Sequence, residues 1–352
     1  MSMPSFPVGL REVGGDAPAF IVAEIGANHD GDVGVARELI ERAAEAGADA
    51  VKLQTYTADE LLADPHRIVT WGPEDDRRSE PIGAMFDRLA LPREEHMGLF
   101  QHAAKLGLPA FSTPFSPDGA RFLAELDVPL VKIASSDLSW LELLDAAAEG
   151  DAPVIVSTGM ATLAEADVAV RRLLSHRPAG VAVLHCVTSY PAPHEELNLR
   201  AIPALAAVFP ECVIGFSDHS MGTTAAIGAV ALGAKIIEKH VTLDPARPGP
   251  DHWFSAGPDE LATLVTSVRE LEAALGTGAK RVQPSERDDR KVAHRSLHTT
   301  GPVPAGTPLE DGHLRAARPG TGLHPFELPN VLGLRPTRDL PAGHPLSWDD
   351  FR

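Results

Sequence analysis

Short apolar segments rich in strand-forming residues alternate with longer amphipathic segments over most of the chain. The first, FIVAEIG at 20–26, precedes VARELIERAAEAG, in which Leu39, Ile40 and Ala43 lie at helical spacing. Seven further apolar segments follow: AVKLQTY at 50–56, PAFSTPF at 109–115, LVKIASS at 130–136, PVIVSTG at 153–159, VAVLHCV at 181–187, VIGFSDH at 213–219 and AKIIEKHVTL at 234–243. Eight strand–helix alternations over about 275 residues predict a (β/α)8 barrel, the TIM barrel.

The strand segments are almost continuously apolar, which is typical of a parallel sheet buried on both faces. A doubly wound open sheet is the alternative architecture. The turn between the first strand and its helix lacks the GxGxxG pattern, which weakens the dinucleotide-binding version of that fold.

Two stretches interrupt the alternation. Residues 57–92 form a long polar insertion that contains Trp71 and the run EDDRRSE, and connections of this length are usually lids, interface elements or disordered segments. We predict a barrel domain over 1–278, a polar linker over 279–293 and a small β-rich domain of short strands over 294–352, where Pro-Gly turn signals dominate. A domain of about 60 residues is only marginally stable alone.

The charge excludes several classes of partner. The chain has 31 basic and 49 acidic residues, a net charge of −18, so we expect no nucleic-acid partner and no anionic membrane. No apolar run reaches the ~18 residues of a transmembrane helix, and the N-terminus lacks the features of a signal peptide. Cys186 and Cys212 cannot form a disulfide framework, and we expect a cytoplasmic protein.

Polar residues close every predicted strand. Because the carboxyl ends of barrel strands meet at one mouth, where such enzymes carry their catalytic groups, this pattern predicts an active site. The residues at these ends are Glu24, Lys52, Gln54, Ser112, Thr113, Lys132, Ser135, Ser157, Thr158, His185, Thr188, Ser189, Tyr190, Ser217, Asp218, His219, Glu238, Lys239 and His240.

Two histidines end neighbouring strands of the predicted barrel. His219 shares a strand face with Ser217, and His240 shares one with Glu238, because side chains alternate along a strand. Two imidazoles that approach each other at the mouth suit a first-row divalent metal with water and substrate at its open positions. The alternative is that each histidine is a hydrogen-bonded polar residue without a metal.

Two of only seven lysines, Lys52 and Lys132, interrupt apolar strands, where an unpaired ammonium group is costly to bury. With the neutral donors Thr113, Ser135, Ser157 and Ser217 nearby, the pattern indicates a cradle for phosphate or carboxylate. Two alternatives stay open: a Schiff-base lysine of an aldolase, or structural ion pairs with Glu24 or Glu238. Asp251, in RPGPDHWFS, lies on a loop that either folds over the mouth or is only a turn.

The segments that carry these residues closely resemble the N-acetylneuraminate (sialic acid) synthase family, which includes legionaminate and pseudaminate synthases. The matching segments occur in order: FIVAEIGANHDGD, AGADAVKLQTY, FSTPF, VKIASSD, VSTGM, LHCVTSYPAP, IGFSDHS, EKHVTLD and RPGPDHWFS. The tail's RPGTGLHP is similar to the antifreeze-like (SAF) domain of that family. The resemblance implies a TIM barrel with a C-terminal SAF domain, and a domain-swapped homodimer in which each SAF domain caps the partner's active site.

The reaction implied by the resemblance condenses phosphoenolpyruvate with an N-acylated hexosamine, N-acetylmannosamine or a related open-chain aldose. It gives a nine-carbon 2-keto-3-deoxy (nonulosonic) acid and phosphate. The metal would act as a Lewis acid on the aldehyde oxygen, and Glu24 would orient or deprotonate the attacking water. Assigning that role to Glu24 rather than Asp251 is a hypothesis.

The resemblance also implies a role for each candidate residue. Lys52, Thr113, Lys132, Ser135, Ser157 and Ser217 would hold phosphoenolpyruvate, with Tyr190 between the two substrates. Glu24, Gln54 and Asp251 would contact the sugar, together with Arg318 from the partner subunit. His219 and His240 would bind the divalent metal, Mn²⁺ or alternatively Mg²⁺ or Co²⁺. Among these, Glu24, Lys52, Lys132 and Asp251 are the predicted catalytic residues.

The chain departs from the family at two places. Thr188 stands where some members carry asparagine, and His294 in KVAHRSL stands where an aromatic residue often contacts the sugar. We expect the 57–92 insertion and the HWFS segment after Asp251 to contact the acyl group of the sugar. Two alternatives remain: a related enzyme that condenses phosphoenolpyruvate with another aldose and lacks a SAF tail, and a non-catalytic sugar-binding barrel.

Overall fold

The computed structural model describes residues 3–352, which divide into two compact units, one ending at Gly276 and the other spanning Thr277–Arg352. The strands, in chain order, are β1 Ser5–Val8, β2 Arg11–Gly14, β3 Phe20–Glu24, β4 Ala50–Thr55, β5 Ile68–Trp71, β6 Arg78–Pro81, β7 Ala110–Pro114, β8 Val131–Ile133, β9 Val154–Ser157, β10 Val181–Cys186, β11 Val213–Asp218, β12 Ile236–His240, β13 Ser296–Thr299 and β14 Leu314–Ala317. The helices are α1 Val33–Glu45, α2 Ala58–Leu61, α3 Ile82–Leu89, α4 Arg93–Lys105, α5 Pro117–Glu125, α6 Leu141–Ala147, α7 Leu163–His176, α8 Ala201–Val208, α9 Thr224–Ala231, α10 Pro258–Leu275, α11 Arg287–Ala293 and α12 Leu328–Val331.

Eight parallel strands close into a barrel in the order β3-β4-β7-β8-β9-β10-β11-β12. The sheet has no free edge, because β3 pairs with β4 on one side and with β12 on the other. All eight apolar segments of the sequence form these strands, so the predicted (β/α)8 barrel is confirmed and the doubly wound open sheet is wrong.

The helices cover the barrel with the faces that the sequence pattern predicts. In α1, Leu39, Ile40 and Ala43 are buried, and the Asp32 side chain caps the helix by accepting hydrogen bonds from the first-turn amides. In α7 a capping box between Thr162 and Glu165 does the same. No helix among residues 3–352 is both long enough and apolar enough to span a membrane.

A hairpin of β1 and β2, which the sequence analysis did not predict, lies at the amino-terminal ends of the barrel strands. Its residues Phe6, Val8 and Val13 belong to the same buried cluster as the inward-facing residues of the barrel floor. Gly14 has φ +95°, and a Cβ there would lie 2.4 Å from the Pro4 carbonyl oxygen, so only glycine fits. The hairpin therefore closes the end of the barrel opposite the predicted active site.

The 57–92 insertion is folded. It contains α2, the antiparallel hairpin of β5 and β6, and α3. Ile82, Met85 and Leu89 form a small core of their own, against which Val69 and Trp71 of the hairpin pack. The insertion therefore has its own secondary structure and a small hydrophobic core.

The second unit has its own core, built from residues of short strands, turns and the helix α12. β13 and β14 pair antiparallel, and isolated bridges join His298 to Pro345 and Val303 to Leu340. Residues 279–293, where we expected a linker, include the helix α11. The core residues are Leu297, Val303, Leu309, Leu314, Val331, Leu340 and Leu346.

Candidate active site

A cavity of about 170 Å³ opens at the carboxyl ends of the barrel strands. It brings together all of the predicted site residues of the barrel, whereas Arg318 is an exposed residue of the other unit. The predicted residues that line the cavity are Glu24, Lys52, Gln54, Thr113, Lys132, Ser135, Ser157, Tyr190, Ser217, His219, His240 and Asp251.

Two buried lysines and two buried carboxylates form the floor of this cavity. Lys52 Nζ lies 2.7 Å from Glu24 Oε2 and 3.7 Å from Glu238 Oε1. Lys132 Nζ lies 3.9 Å from the same Glu238 oxygen. Each of the four side chains is at most 5 % exposed. The ion pairs that the sequence analysis kept as an alternative are therefore present, and they lie inside the cavity.

The surroundings shift the pKa values of these groups in different directions. Burial lowers the pKa of Lys132, whereas the Glu238 and Glu24 carboxylates outweigh burial and raise the pKa of Lys52. Burial, together with the neighbouring Glu238 charge, raises the pKa of Glu24 despite its contact with Lys52. For Glu238, burial opposes ionisation, but the Lys132 and Lys52 ammonium groups hold its pKa below the usual value.

Hydroxyl groups complete the floor. Lys52 Nζ donates to Thr113 Oγ1 at 2.9 Å, and Ser217 Oγ donates to Glu238 Oε1 at 3.1 Å. Ser135 Oγ accepts from the Gly159 amide at 2.9 Å. Ser157 Oγ is buried without a hydrogen-bond partner, a state that costs free energy unless a ligand engages the hydroxyl. The floor thus offers ammonium and hydroxyl donors to an anion.

The two predicted metal-binding histidines face each other at the rim. The centroids of the His219 and His240 rings are 5.4 Å apart, and the Tyr190 ring lies 4.3 Å from that of His219. His219 Nδ1 donates to the Val187 carbonyl oxygen at 3.0 Å, which leaves Nε2 for a ligand. His240 Nδ1 is buried without a hydrogen-bond partner, 3.7 Å from Asp251 Oδ2.

These features fit a divalent metal ion for which the chain supplies only some of the ligands. Burial and the neighbouring His219 keep the pKa of His240 well below its usual value, so the ring is neutral and able to bind a metal. Residues 3–352 contain no group of three or more His, Cys, Asp or Glu side chains arranged to hold an ion. The chain would supply two imidazole nitrogens, and water or substrate would supply the remaining ligands.

Asp251 lies over the mouth because its loop is tied to the segment after β3. Ser255 Oγ donates to the Asp251 carbonyl oxygen at 2.6 Å, and Asn28 Nδ2 donates to Ser255 Oγ at 2.9 Å. His252 bonds Thr242 Oγ1 through Nδ1 at 2.6 Å. Loss of solvation raises the pKa of the Asp251 carboxyl to about 6.

Several polar strand-end residues do not line the mouth, among them His185, Asp218 and Lys239, and the expectation that they do is wrong. The His185 ring stacks on Phe216 and bonds the Leu197 carbonyl oxygen, and Asp218 and Lys239 pair with each other. The strand period of two, which placed His219 and His240 inward, also turns these three outward.

The same alternation turns Cys186 inward, beside His219, with Sγ 3.7 Å from Nδ1. The sequence analysis did not consider Cys186 for the site and gave Glu238 no binding or catalytic role, although the side chains of both residues point into the barrel. Ser112 also faces outward, where it bonds Thr55 Oγ1 at 2.7 Å.

A second, wider cleft of about 450 Å³ shares Tyr190 and Asp251 with the mouth; we call it the outer cleft. The β5–β6 hairpin forms one wall, and the loop after β12 forms the other. Both indole N–H groups are already engaged, since Trp71 donates to Glu80 and Trp253 to the Pro250 carbonyl oxygen. The outer cleft is lined by Val69, Thr70, Trp71, Gly72, Glu74, Arg77, Met85, Tyr190, Pro250, Asp251 and Trp253.

A closed (β/α)8 barrel with charged groups at its carboxyl end defines a barrel enzyme, and comparison with known proteins specifies the family. The NeuB family model matches residues 39–280, and the SAF domain model matches residues 294–352. The chain belongs to the NeuB family, and it is an enzyme of the transferase type that ends in a SAF domain.

Relatives match over nearly the full chain. The spore coat polysaccharide biosynthesis protein SpsE of Bacillus subtilis is 39% identical over 99% of this chain and 98% of its own length. The N,N'-diacetyllegionaminic acid synthase of Legionella pneumophila is 36% identical over 97% of both chains. The crystal structure of the N-acetylneuraminic acid synthetase of Leptospira borgpetersenii, in complex with citrate, is 35% identical and aligns with a TM-score of 0.73, over 82% of this chain and 95% of its own.

Proposed function

We propose that this protein condenses phosphoenolpyruvate with the open-chain aldehyde of an N-acylated hexosamine, giving a nine-carbon 2-keto-3-deoxy acid and phosphate. The observation that carries the proposal is the set of buried ammonium and hydroxyl donors around Lys52 and Lys132, beside two histidines with free ring nitrogens. The names of relatives, synthases of legionaminic and pseudaminic acids, support the same class of reaction.

The charge balance in the mouth indicates that an anionic substrate needs a further cation there, such as the divalent metal. Lys52 and Lys132 face three carboxylates, those of Glu24, Glu238 and Asp251. When all three carboxylates are ionised, the charged side chains of the mouth therefore carry a net negative charge. We propose that Lys132, whose pKa burial lowers, binds one anionic group of phosphoenolpyruvate together with Lys52 and the neighbouring hydroxyls.

A divalent ion, Mn²⁺ or alternatively Mg²⁺ or Co²⁺, would be held by His219 and His240 and would supply Lewis-acid polarisation of the aldehyde oxygen. Tyr190, whose ring packs at a tilt against that of His219, would separate the two substrates. In the reaction, C3 of phosphoenolpyruvate bonds to C1 of the sugar, water bonds to C2, and the C2–O bond to phosphate breaks. We propose that Glu24 orients or deprotonates this water, since Lys52 and Gln54 hold both of its oxygens in place.

The outer cleft would hold the acyl-bearing part of the sugar. Its walls are largely aromatic and aliphatic, and Arg77 is the only cation among the described residues that line it. Arg77 is 61 % exposed and lies 4.0 Å from Glu74. Phosphate sites generally use several convergent donors, so this lining favours an unphosphorylated sugar with apolar N-acyl groups.

Phosphate release tests the proposed function. The assay contains phosphoenolpyruvate, Mn²⁺ and one of three sugars: N-acetylmannosamine, its 6-phosphate or a di-N-acetylated hexose. We expect phosphate release with at least one unphosphorylated sugar. The kcat/KM for the 6-phosphate should be at least ~10-fold lower, which corresponds to about 1.4 kcal/mol of discrimination. A chelator should abolish turnover and added Mn²⁺ should restore it. Release with none of the sugars would contradict the synthase function, and chelator-insensitive turnover would contradict the two-histidine metal site alone.

We propose further that the active protein is a homodimer in which Arg318 of each SAF domain reaches the partner's mouth. Mixing inactive Lys132→Ala and Arg318→Ala subunits should then restore about a quarter of wild-type activity, because half of the dimers are mixed and each has one intact site. Subunit exchange is verified with differently tagged chains. Exchange without recovered activity would place Arg318 outside the partner's site.

The related aldose-condensing enzyme remains the alternative. A truncated 3-deoxy-D-arabino-heptulosonate 7-phosphate synthase of Thermotoga maritima aligns with a TM-score of 0.59 at 16% identity, a likeness that extends to the fold alone. The SAF domain at 294–352 favours the nonulosonate reaction over that alternative. The presence of Lys52, His219 and His240 in one cavity argues against a non-catalytic barrel.

A further inference from the structure

Asp218 and Lys239 form a buried ion pair on the outer face of the barrel, directly behind the active site. They are register partners on the neighbouring strands β11 and β12. Lys239 Nζ lies 2.8 Å from Asp218 Oδ2, and the two side chains are 2 % and 0 % exposed. Neither residue lines the catalytic cavity, so the pair has no role as a substrate contact.

The pair also holds the turn that follows β11. Lys239 Nζ donates a second hydrogen bond to the Ser220 carbonyl oxygen at 2.7 Å. Asp218 Oδ1 accepts from the Ser220 amide at 2.9 Å and from Ser220 Oγ at 2.6 Å. Asp218, Lys239 and Ser220 therefore form one connected polar network, which we call the clamp.

The clamp fixes the backbone on which both histidines stand. His219 lies between Asp218 and Ser220 in the chain, and His240 directly follows Lys239. Because each histidine is bonded covalently to a clamp residue, a shift of the clamp moves both imidazoles. We propose that Asp218 and Lys239 are positioning residues that set the separation of the His219 and His240 rings for metal binding, an inference that rests on the proposed function.

A purely stabilising role would not require this arrangement. Replacing both members of a buried ion pair with uncharged groups is often neutral for stability, whereas removing one member leaves a buried charge unpaired. The chain offers a comparison at the opposite end of the barrel. There, Asp49 is buried and accepts from the Ile21 amide at 2.8 Å, and it pairs with Arg269 and Arg11. The Asp49 network has no connection to either histidine.

The test compares the double variant Asp218→Asn/Lys239→Met with the control Asp49→Asn/Arg269→Met. In Mn²⁺ titrations followed by electron paramagnetic resonance, we expect the clamp variant to bind Mn²⁺ at least tenfold more weakly and the control to stay within twofold of wild type. Dissociation constants for phosphoenolpyruvate, measured without metal, should change less than threefold in the control and by a smaller factor than the Mn²⁺ affinity in the clamp variant. Lys52 and Lys132 belong to other strands, whereas Ser217 and Glu238 directly precede the clamp residues.

A second readout needs no metal. The readout is the NMR spectrum of the chelator-treated protein labelled with ¹⁵N-histidine, in which the variants His219→Gln and His240→Gln assign the two ring signals. In the clamp variant the signals of His219 and His240 should shift or broaden. The remaining 13 of the 15 histidines should keep their signals. Unchanged signals together with Mn²⁺ affinity within twofold of wild type would overturn the proposal. Equal effects in the control variant would overturn it as well.

The two failures are distinguishable. If the wild-type protein binds no Mn²⁺ or releases no phosphate, the proposed function fails, and the histidine signals alone decide whether the clamp positions the rings. If the double variant does not fold, the same histidine spectra are recorded for the single variant Asp218→Asn, which keeps an oxygen acceptor for Ser220. A folded Asp218→Asn protein with unchanged His219 and His240 signals would also overturn the proposal.

Discussion

Lys132→Met is expected to lower kcat/KM for phosphate release by about 10³-fold, because removing a preorganised donor to an anion typically costs 10²–10³-fold and this residue is also a binding cation. Lys132 Nζ donates to the Ile133 carbonyl oxygen at 3.0 Å, and its carboxylate neighbour, Glu238, is 3.9 Å away. Burial lowers the pKa of this ammonium group, so an arriving phosphate or carboxylate gains more from it than a solvated lysine would provide.

The loss should extend beyond the missing donor. The Lys132 and Lys52 charges hold the pKa of Glu238 below its usual value. Without Lys132, burial dominates, the pKa of Glu238 rises, and either a proton or an uncompensated negative charge remains beside the substrate. We therefore expect the KM for phosphoenolpyruvate to rise and kcat to fall, rather than a change in KM alone.

The matched control is Lys235→Met. Lys235 lies just before β12, at the opposite end of the barrel, and donates to the Ala17 carbonyl oxygen at 2.9 Å. Its activity should stay within about twofold of wild type, with thermal unfolding measured for both variants. A Lys132→Met protein with unchanged affinity for phosphoenolpyruvate would show that this lysine is only the structural partner of Glu238.

Much of the fold could be predicted from the sequence because its signals are local. Each barrel strand is an apolar run followed by polar residues, and the chain connects neighbouring strands in order, so their carboxyl ends meet without any knowledge of contacts. The twelve barrel residues of the candidate site converge for the same reason. Ser112, His185, Asp218 and Lys239 were misplaced because polarity was given more weight than the strand period.

The remaining features depend on contacts between distant parts of the chain. The β1–β2 hairpin closes the barrel floor by packing Phe6 and Val13 against strands distributed over the whole barrel. The network of Lys52, Lys132, Glu24 and Glu238 comes from four different strands. The outer cleft joins the insertion at 57–92 to the loop after β12. Neither propensity nor periodicity encodes such distances.

Glu24→Gln is expected to lower kcat by at least ~10³-fold, about 4 kcal/mol in activation free energy, with little change in KM for either substrate. The substitution keeps the shape and an oxygen acceptor for Gln54 Nε2, which lies 2.9 Å from Glu24 Oε1. It removes the negative charge beside Lys52 and the ability to accept a proton from water. The fold should persist, because Glu238 lies 3.7 Å from Lys52 and still compensates its charge.

Asp251→Asn provides the direct comparison. Asp251 lies on the loop at the rim, next to His240 and the outer cleft, so we expect it to act mainly on the sugar, raising KM for the sugar with a smaller loss of kcat. Both variants are measured with metal and both substrates at saturation, where binding defects no longer limit the rate. Near-wild-type turnover by Glu24→Gln would contradict its role with water. A larger kcat loss in Asp251→Asn than in Glu24→Gln would favour Asp251 for that role, because at saturation the loss of a sugar contact lowers kcat less than the loss of the proton-handling group.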